Sequence, residues 1–569
     1  VTPAGGSILA REHRALLVLL LVVLSLLFAE PGHVPLFEPD EGRYAEIPRE
    51  MLATGDFVTP RLNGVLYFEK PPLSYWSVAA SFALFGQNEY AARLPSRLAS
   101  AGLVLMALAF ARRRWGARAG LLAGLVTASS TLVFVLGRLT IIDPMLSCAL
   151  SAAVFAFASF QEAEEAGNAR RARRALYGLH AACAAAVMLK GLIGIVLPGG
   201  AIVLWVAASG RWRLVPKLFS PGPLLLFLAL AVPWHVEVAR RNPDFLSFYF
   251  VHEHLDRFVK KEHRRGGSVF YFVAVLVAGF VPWTGFFGRL KETFPARLSA
   301  FRERGTESLL WTFSLLVFLF FSVSRSKLIP YVEPIWAPLA VLLAAGVERA
   351  RHRGERFDGD RRAAAILFGA LLVAGAAYGT GAVYLARFGA ERAGFLALAA
   401  LFAGFALNVS PRFFRARDAV SWVAIPWAGF LLGAVLLLPG AAQRVTPWPL
   451  VSVLLRELKS GDVLVQRGAY VQAVPFYVKR TTPVSALGWH ELDFGRTRPG
   501  SEGMFPTDVE FESLWNGSGR VFAVVHRDRV RDFLDPRRSL RKGVELARAV
   551  EGKYILLSNQ VSGASKVIQ

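Results

Sequence analysis

The chain has 569 residues, 54% of them hydrophobic, and a mean hydropathy of +0.41. The apolar residues fall in long uncharged runs, among them residues 15–29, 101–110, 119–136 and 224–234, which excludes an ordinary soluble protein and reads as a polytopic α-helical membrane protein. The formal charge of +23 does not point to nucleic acid, because the basic residues crowd into short connections between apolar runs, and two cysteines in apolar runs (Cys148 and Cys183) exclude a disulfide framework or a cysteine-based metal site.

Hydropathy places spans near residues 14–30, 97–114, 118–136, 142–160, 175–190, 192–208, 222–238, 268–287, 308–324, 329–347, 362–386, 392–409 and 418–438. That makes about 13 helices of bilayer-spanning length. The first follows Arg11 and Arg14 like a secretory signal, but no small-residue cleavage site is evident, so it is expected to remain. Basic clusters at residues 112–118, 170–174, 211–217, 289–304, 349–356 and 412–417 alternate with connections that hold one or two cations, such as Arg138, Lys190, or Arg325 with Lys327. The positive-inside rule then puts the clusters in the cytoplasm and residues 30–97, residues 239–267 and the C-terminus outside. Residues 75–85 are too short to span and are expected to lie at the interface as an amphipathic helix.

Residues 1–440 are thus expected to form a transmembrane domain and residues 441–569 a small soluble α/β domain. Strands are expected at 462–466, 482–487, 520–526 and 554–558, and no glycine-rich phosphate fingerprint accompanies them.

Three acidic features lie on the outer side of this scheme. Glu38-Pro39-Asp40-Glu41-Gly42-Arg43 follows the first span, where carboxylates are costly unless solvated, paired or used. Glu69-Lys70-Pro71-Pro72 aims a charged pair from a stiff backbone. Asp143-Pro144 opens a span, an arrangement that helix capping alone would explain. Lys190, Arg257 after His252-Glu253-His254, and Lys327-Leu328-Ile329-Pro330-Tyr331 add cations and a hydroxyl suited to a phosphate at the bilayer surface. Taken singly, each is explained as well by a rim salt bridge or a snorkelling side chain. Together they outline an outward-facing polar site under a lipid headgroup. A sugar phosphate on a lipid suits such a site, since cations stabilise the leaving phosphate and a carboxylate activates the acceptor or steadies the oxocarbenium-like centre.

The same strings carry a resemblance. Asp40-Glu41-Gly42-Arg43-Tyr44-Ala45-Glu46, Gly55-Asp56-Phe57, Glu69-Lys70-Pro71-Pro72-Leu73-Ser74-Tyr75-Trp76, Ala92-Arg93-Leu94-Pro95-Ser96 and Glu253-His254-Leu255-Asp256-Arg257-Phe258 resemble the aminoarabinose transferase family of the GT-C superfamily, which is related to protein O-mannosyltransferases. The likeness continues into the tail at Pro475-Phe476-Tyr477 and Glu491-Leu492-Asp493-Phe494-Gly495. The resemblance implies about 13 transmembrane helices, periplasmic interface helices, a C-terminal soluble α/β domain and a place in the bacterial inner membrane. It also implies transfer of a sugar from undecaprenyl phosphate to lipid A or a related envelope glycolipid, with catalytic roles for Asp40, Glu41 and Asp143. Lys70, Lys190, Arg257 and Tyr331 would surround the donor phosphate. No cofactor is required, although Glu69 with His252 or His254 would supply half of a divalent metal shell. One departure is that relatives often read Lys-Leu-Pro-x-Tyr where this chain places Pro330 one position later. The same scaffold also carries galacturonic acid or neutral hexoses, so the sugar stays open. A protein hydroxyl or a core or O-antigen sugar is the alternative acceptor. A lipid-linked sugar transporter is a remote alternative, because transport sites usually lie at the bilayer midplane.

Overall fold

The computed structural model describes residues 3–249, 267–379, 391–409, 419–488, 491–533, 540–541, 543–550, 552–560 and 566–567. It divides into two compact units, one of Val1–Ala29, Glu69–Leu73 and Pro95–Leu436, the other of Glu30–Phe68, Ser74–Leu94 and Leu437–Gln569.

The first unit is helical, as hydrocarbon demands of a chain whose backbone polar groups must be satisfied internally. Among the described residues, Glu89–Ser129, Asp143–Glu165, Pro221–Arg241, Gly305–Val323, Ile329–His352 and Val420–Val445 are long and apolar enough to cross a membrane. The pair Tyr271–Gly279 and Trp283–Glu292 would make a seventh. The protein is therefore a multi-pass helical membrane protein. Some of the spans expected from hydropathy do not appear separately in this set, for visible reasons. The 41-residue stretch Glu89–Ser129 holds the 97–114 run and the first part of the 118–136 run, joined across a break at Gly116 with φ 91° and ψ 175°. Ala169–Lys190 opens on a cluster of arginines and so is less apolar than a typical span.

The span expected at 268–287 takes the form of two helices bent by 106°. Pro282 cannot donate to a helical ladder. The Val281 carbonyl instead accepts the Thr131 amide and hydroxyl, each at 3.1 Å.

Two cations of the sparsely charged connections act as helix caps. Arg138 donates to the carbonyls of Leu26 and Leu27 at the end of the Pro3–Phe28 helix. Lys327 donates to Ser322 at 2.7 Å and Ser324 at 2.6 Å, closing the Gly305–Val323 helix. Both satisfy carbonyls that a helix end leaves without partners.

The second unit is built on a six-stranded sheet. Its strands are β3 (Val463–Arg467), β4 (Val484–Ser485), β5 (Val521–His526), β6 (Val544–Ala549), β7 (Tyr554–Ser558) and β8 (Lys566–Val567), in the order β4-β3-β5-β7-β6-β8. β3 runs parallel to β4 and β5, and the remaining pairs are antiparallel. Alternate residues of the central strands feed two cores. Phe522, Val524 and Leu556 pack with the Trp448–Glu457 helix, whereas Val521, Ala523, Val525, Ile555 and Leu557 pack with Phe511, Trp515 and Phe533. A sheet covered on both faces needs continuous apolar strands rather than alternation, which is how β5 and β7 read. A hairpin of β1 (Arg61–Leu62) and β2 (Val65–Leu66) turns on Asn63 and Gly64, both at positive φ (55° and 81°), as a two-residue hairpin loop favours. Leu73–Phe85 is helical over the expected interface segment.

Candidate active site

In the first unit three of the predicted site residues come together. Asp143 is the first residue of the Asp143–Glu165 helix, with Pro144 behind it. The N-cap position of that helix is Ile142, one residue earlier. The Asp143 carboxylate accepts the Lys190 ammonium at 2.6 Å, both side chains being about nine-tenths buried, at 14% and 13% exposed. The capping explanation of Asp143 therefore gives way to an ion pair. Lys190 is the last residue of the Ala169–Lys190 helix, which stops because Gly191 turns to φ 69°. The ammonium also lies 4.8 Å from the ring centroid of Tyr331, within cation–π range. Tyr331 sits in the 3₁₀ turn Ile329–Ile335, which leads directly into the Trp336–His352 helix.

The same turn brings in Glu333, which sequence reasoning missed. It is fully buried, and one of its oxygens accepts the Ser147 hydroxyl at 3.1 Å. Ser147 lies one helical turn beyond Asp143, so Glu333 meets the helix face that carries Asp143. An acid inside the apolar run 328–345 was the signal available in the sequence. Lys70 donates to the Glu69 carbonyl at 2.8 Å. Arg257, His252 and His254 lie outside the described residues. Among the described residues no three histidine, cysteine, aspartate or glutamate side chains gather as a metal site.

In the second unit the acidic string after the first span organises its own neighbourhood. Asp40 starts the Asp40–Thr54 helix, remains half exposed and pairs with Arg43, which also pairs with Glu491. Glu41 is buried, and both its oxygens are taken by Arg93, at 2.9 and 2.8 Å. The Phe37 amide adds a third bond at 3.0 Å. Gly42 lies so close to the chain at 472–473 that a Cβ would come within 2.5 Å of the Ala473 nitrogen. Much of the specificity of this string is thus packing, and Asp40 is its exposed carboxylate.

Glu38 accepts the backbone amides of Gln472 at 2.9 Å and Ala473 at 2.7 Å. Burial pushes its carboxyl up to about 7, although those two amide bonds pull the other way. Burial also raises Glu46 and Glu50. A carboxyl whose folded-state value lies above its unfolded value of 4.5 contributes stability that is complete below that value. The contribution is lost as pH rises through about 7. The melting temperature of the purified chain should therefore fall between about pH 5 and pH 8. Glu38→Gln should flatten that slope, and an unchanged slope in the variant would refute the assignment.

The sequence pattern of the dolichyl-phosphate-mannose-protein mannosyltransferases matches residues 13–249, and that of the aminoarabinose transferase C-terminal domain matches residues 450–548. The undecaprenyl phosphate-alpha-4-amino-4-deoxy-L-arabinose arabinosyl transferase of Aeromonas salmonicida is 35% identical over 417 residues, 69% of this chain and 73% of that protein. Its namesake in Edwardsiella ictaluri is 34% identical over 333 residues, which span 58% of this chain and 58% of that relative. Among solved structures, ArnT from Cupriavidus metallidurans bound to undecaprenyl phosphate superposes with a TM-score of 0.80 at 28% identity, covering 99% of both chains. The Archaeoglobus fulgidus oligosaccharyltransferase, with a TM-score of 0.50 at 12% identity over 98% of this chain and 76% of that one, shares the fold alone. With one third of its residues identical across nearly three quarters of the Aeromonas protein, the chain belongs to the undecaprenyl phosphate-aminoarabinose arabinosyl transferase family.

Proposed function

We propose that the protein is a polyprenyl-phosphate-sugar-dependent glycosyltransferase of the bacterial inner membrane. It moves a sugar from undecaprenyl phosphate to lipid A or a related envelope glycolipid on the periplasmic side. The observation that carries this reading is the Lys190 ammonium, anchored by Asp143 beside the Tyr331 ring at the ends of membrane helices. A fixed cation there stabilises the charge that collects on a departing lipid phosphate. The solved relative bound to undecaprenyl phosphate supports the choice of carrier, and the names of the curated relatives support aminoarabinose as the sugar.

In this reading an acceptor oxygen attacks the anomeric carbon, and the bond from that carbon to the carrier phosphate breaks with inversion. The electron pair leaves on the phosphate, where Lys190, Lys70, Arg257 and Tyr331 receive it. Asp143 orients Lys190, and Asp40 acts as base or electrostatic stabiliser. An acceptor phosphate is already ionised and needs little base, whereas a hydroxyl needs one. Glu41 is held by Arg93 and takes a positioning role.

The mannosyltransferase match over residues 13–249 favours a second reading in which a protein hydroxyl is the acceptor. Mass spectrometry of lipid A from cells with and without the gene separates the two. One added pentosamine or uronic acid, lost again with Asp40→Asn, is expected. Unchanged lipid A with carrier-derived sugar on protein would overturn the lipid A assignment in favour of the second reading.

A further inference from the structure

Glu333 is a fully buried acid whose chemistry the reaction above leaves unused. Its Oε2 accepts the Ser147 hydroxyl at 3.1 Å, and its Oε1 has no hydrogen-bond partner among the described residues. Buried carboxylate oxygens are seldom left so, because desolvation without a partner is costly.

The surroundings specify what is missing. Ser147 follows Asp143 by one helical turn, so Glu333 meets the face of the Asp143–Glu165 helix that carries Asp143. Lys190 is committed to Asp143 and lies over the ring of Tyr331, two residues before Glu333. Among the described residues the ion pair of this cluster joins Lys190 to Asp143, which leaves Glu333 with no cation paired to it and its Oε1 with no hydrogen-bond donor.

We infer that Glu333 receives the ammonium group of an amino sugar carried on the lipid donor, which makes it a specificity-determining residue. The inference rests on the donor reaction proposed above and goes beyond it by naming the group that selects the sugar. An ammonium supplies both the donor and the charge. A neutral hydroxyl supplies the donor alone, and a uronic acid brings a second negative charge against Glu333. The cluster therefore ranks amino sugar above neutral sugar above uronic acid, which orders the sugars that this scaffold can carry. A site built around a buried charged partner discriminates strongly against an analogue that lacks the matching group.

The competing account is that Glu333 holds a proton and fills space. Glutamine copies a protonated glutamate in shape and charge, so Glu333→Gln separates the two. The full chain, purified in nanodiscs, is assayed with undecaprenyl phosphate bearing 4-amino-4-deoxyarabinose and with the same donor N-acetylated to remove the charge. The wild type should prefer the free amine. Glu333→Gln should lower that preference about 10- to 100-fold, the range of a hydrogen bond to a charged group, through KM rather than kcat. Glu333→Asp, which keeps the charge, should retain part of it. A Glu333→Gln protein with the wild-type preference would overturn the inference. A wild type that uses both donors equally would also overturn it and leave the donor reaction standing. Turnover of neither donor would overturn the proposed reaction and this inference with it.

Discussion

Replacing Lys190 with methionine is expected to lower kcat/KM for sugar transfer by about 10²–10³-fold, the usual cost of removing one preorganised donor from a developing oxyanion. The ammonium has three donors, and one is spent on Asp143 at 2.6 Å. The others have no acceptor among the described residues and can meet a phosphate, while the Tyr331 ring 4.8 Å away helps to hold the charge in place. Asp143→Asn should cost less, because the cation survives with its aim loosened. The double variant should be no worse than Lys190→Met alone, since the two residues act as one unit. Stability supplies the control. Lys190→Met leaves the largely buried Asp143 unpaired, which costs about 3–5 kcal/mol when one partner of a buried pair is removed. Adding Asp143→Asn should restore most of the melting temperature and none of the turnover. A Lys190→Met enzyme within twofold of wild type in single-turnover assays would remove Lys190 from the mechanism.

How much of this was legible in the sequence depends on the range of the signal. Long apolar runs announced the membrane helices, and the apolar stretches of β5 and β7 announced strands, whose burial on both faces only the structure shows. β6 was missed because Val544-Glu-Leu-Ala-Arg-Ala549 is half helix-former and takes its conformation from pairing with β7. The hairpin at Asn63-Gly64 carried a strong local turn signal between very short strands. At the bend near Pro282 the Val281 carbonyl is held by Thr131, 150 residues earlier in the chain, a contact that no local string announces. The site divides in the same way. Asp143, Lys190 and Tyr331 were named from local strings and a family resemblance, and they do cluster. Glu333 sat in a run that reads as an ordinary span. The two acids Asp40 and Glu41, adjacent in sequence, could not be told apart until Arg93, 52 residues beyond Glu41, took both oxygens of one and left the other exposed.

Arg93 carries a large expected effect on stability. It is 1% exposed, and all five of its N–H donors are used. They reach both oxygens of Glu41, one oxygen of Glu30 at 2.7 Å, and the carbonyls of Val34 at 2.7 Å and Pro35 at 3.0 Å. One guanidinium therefore ties the connection after the first span to the start of the Glu89–Ser129 helix. Arg93→Met would take the guanidinium from the buried Glu41 and from Glu30, and one donor from each of two carbonyls. The expected loss is about 3–5 kcal/mol, enough to lower the melting temperature of the solubilised chain by many degrees. Arg93→Lys should recover less than half of that loss, because three donors on a flexible stem cannot reach five acceptors set for a planar fork. Arg93→Met combined with Glu41→Met should be more stable than Arg93→Met alone, since the pair then leaves no uncompensated charge between them. The comparison is best read as rates of heat inactivation, because a membrane protein of this size unfolds irreversibly. If Arg93→Met inactivates no faster than wild type, the string that follows the first span is not held by this network.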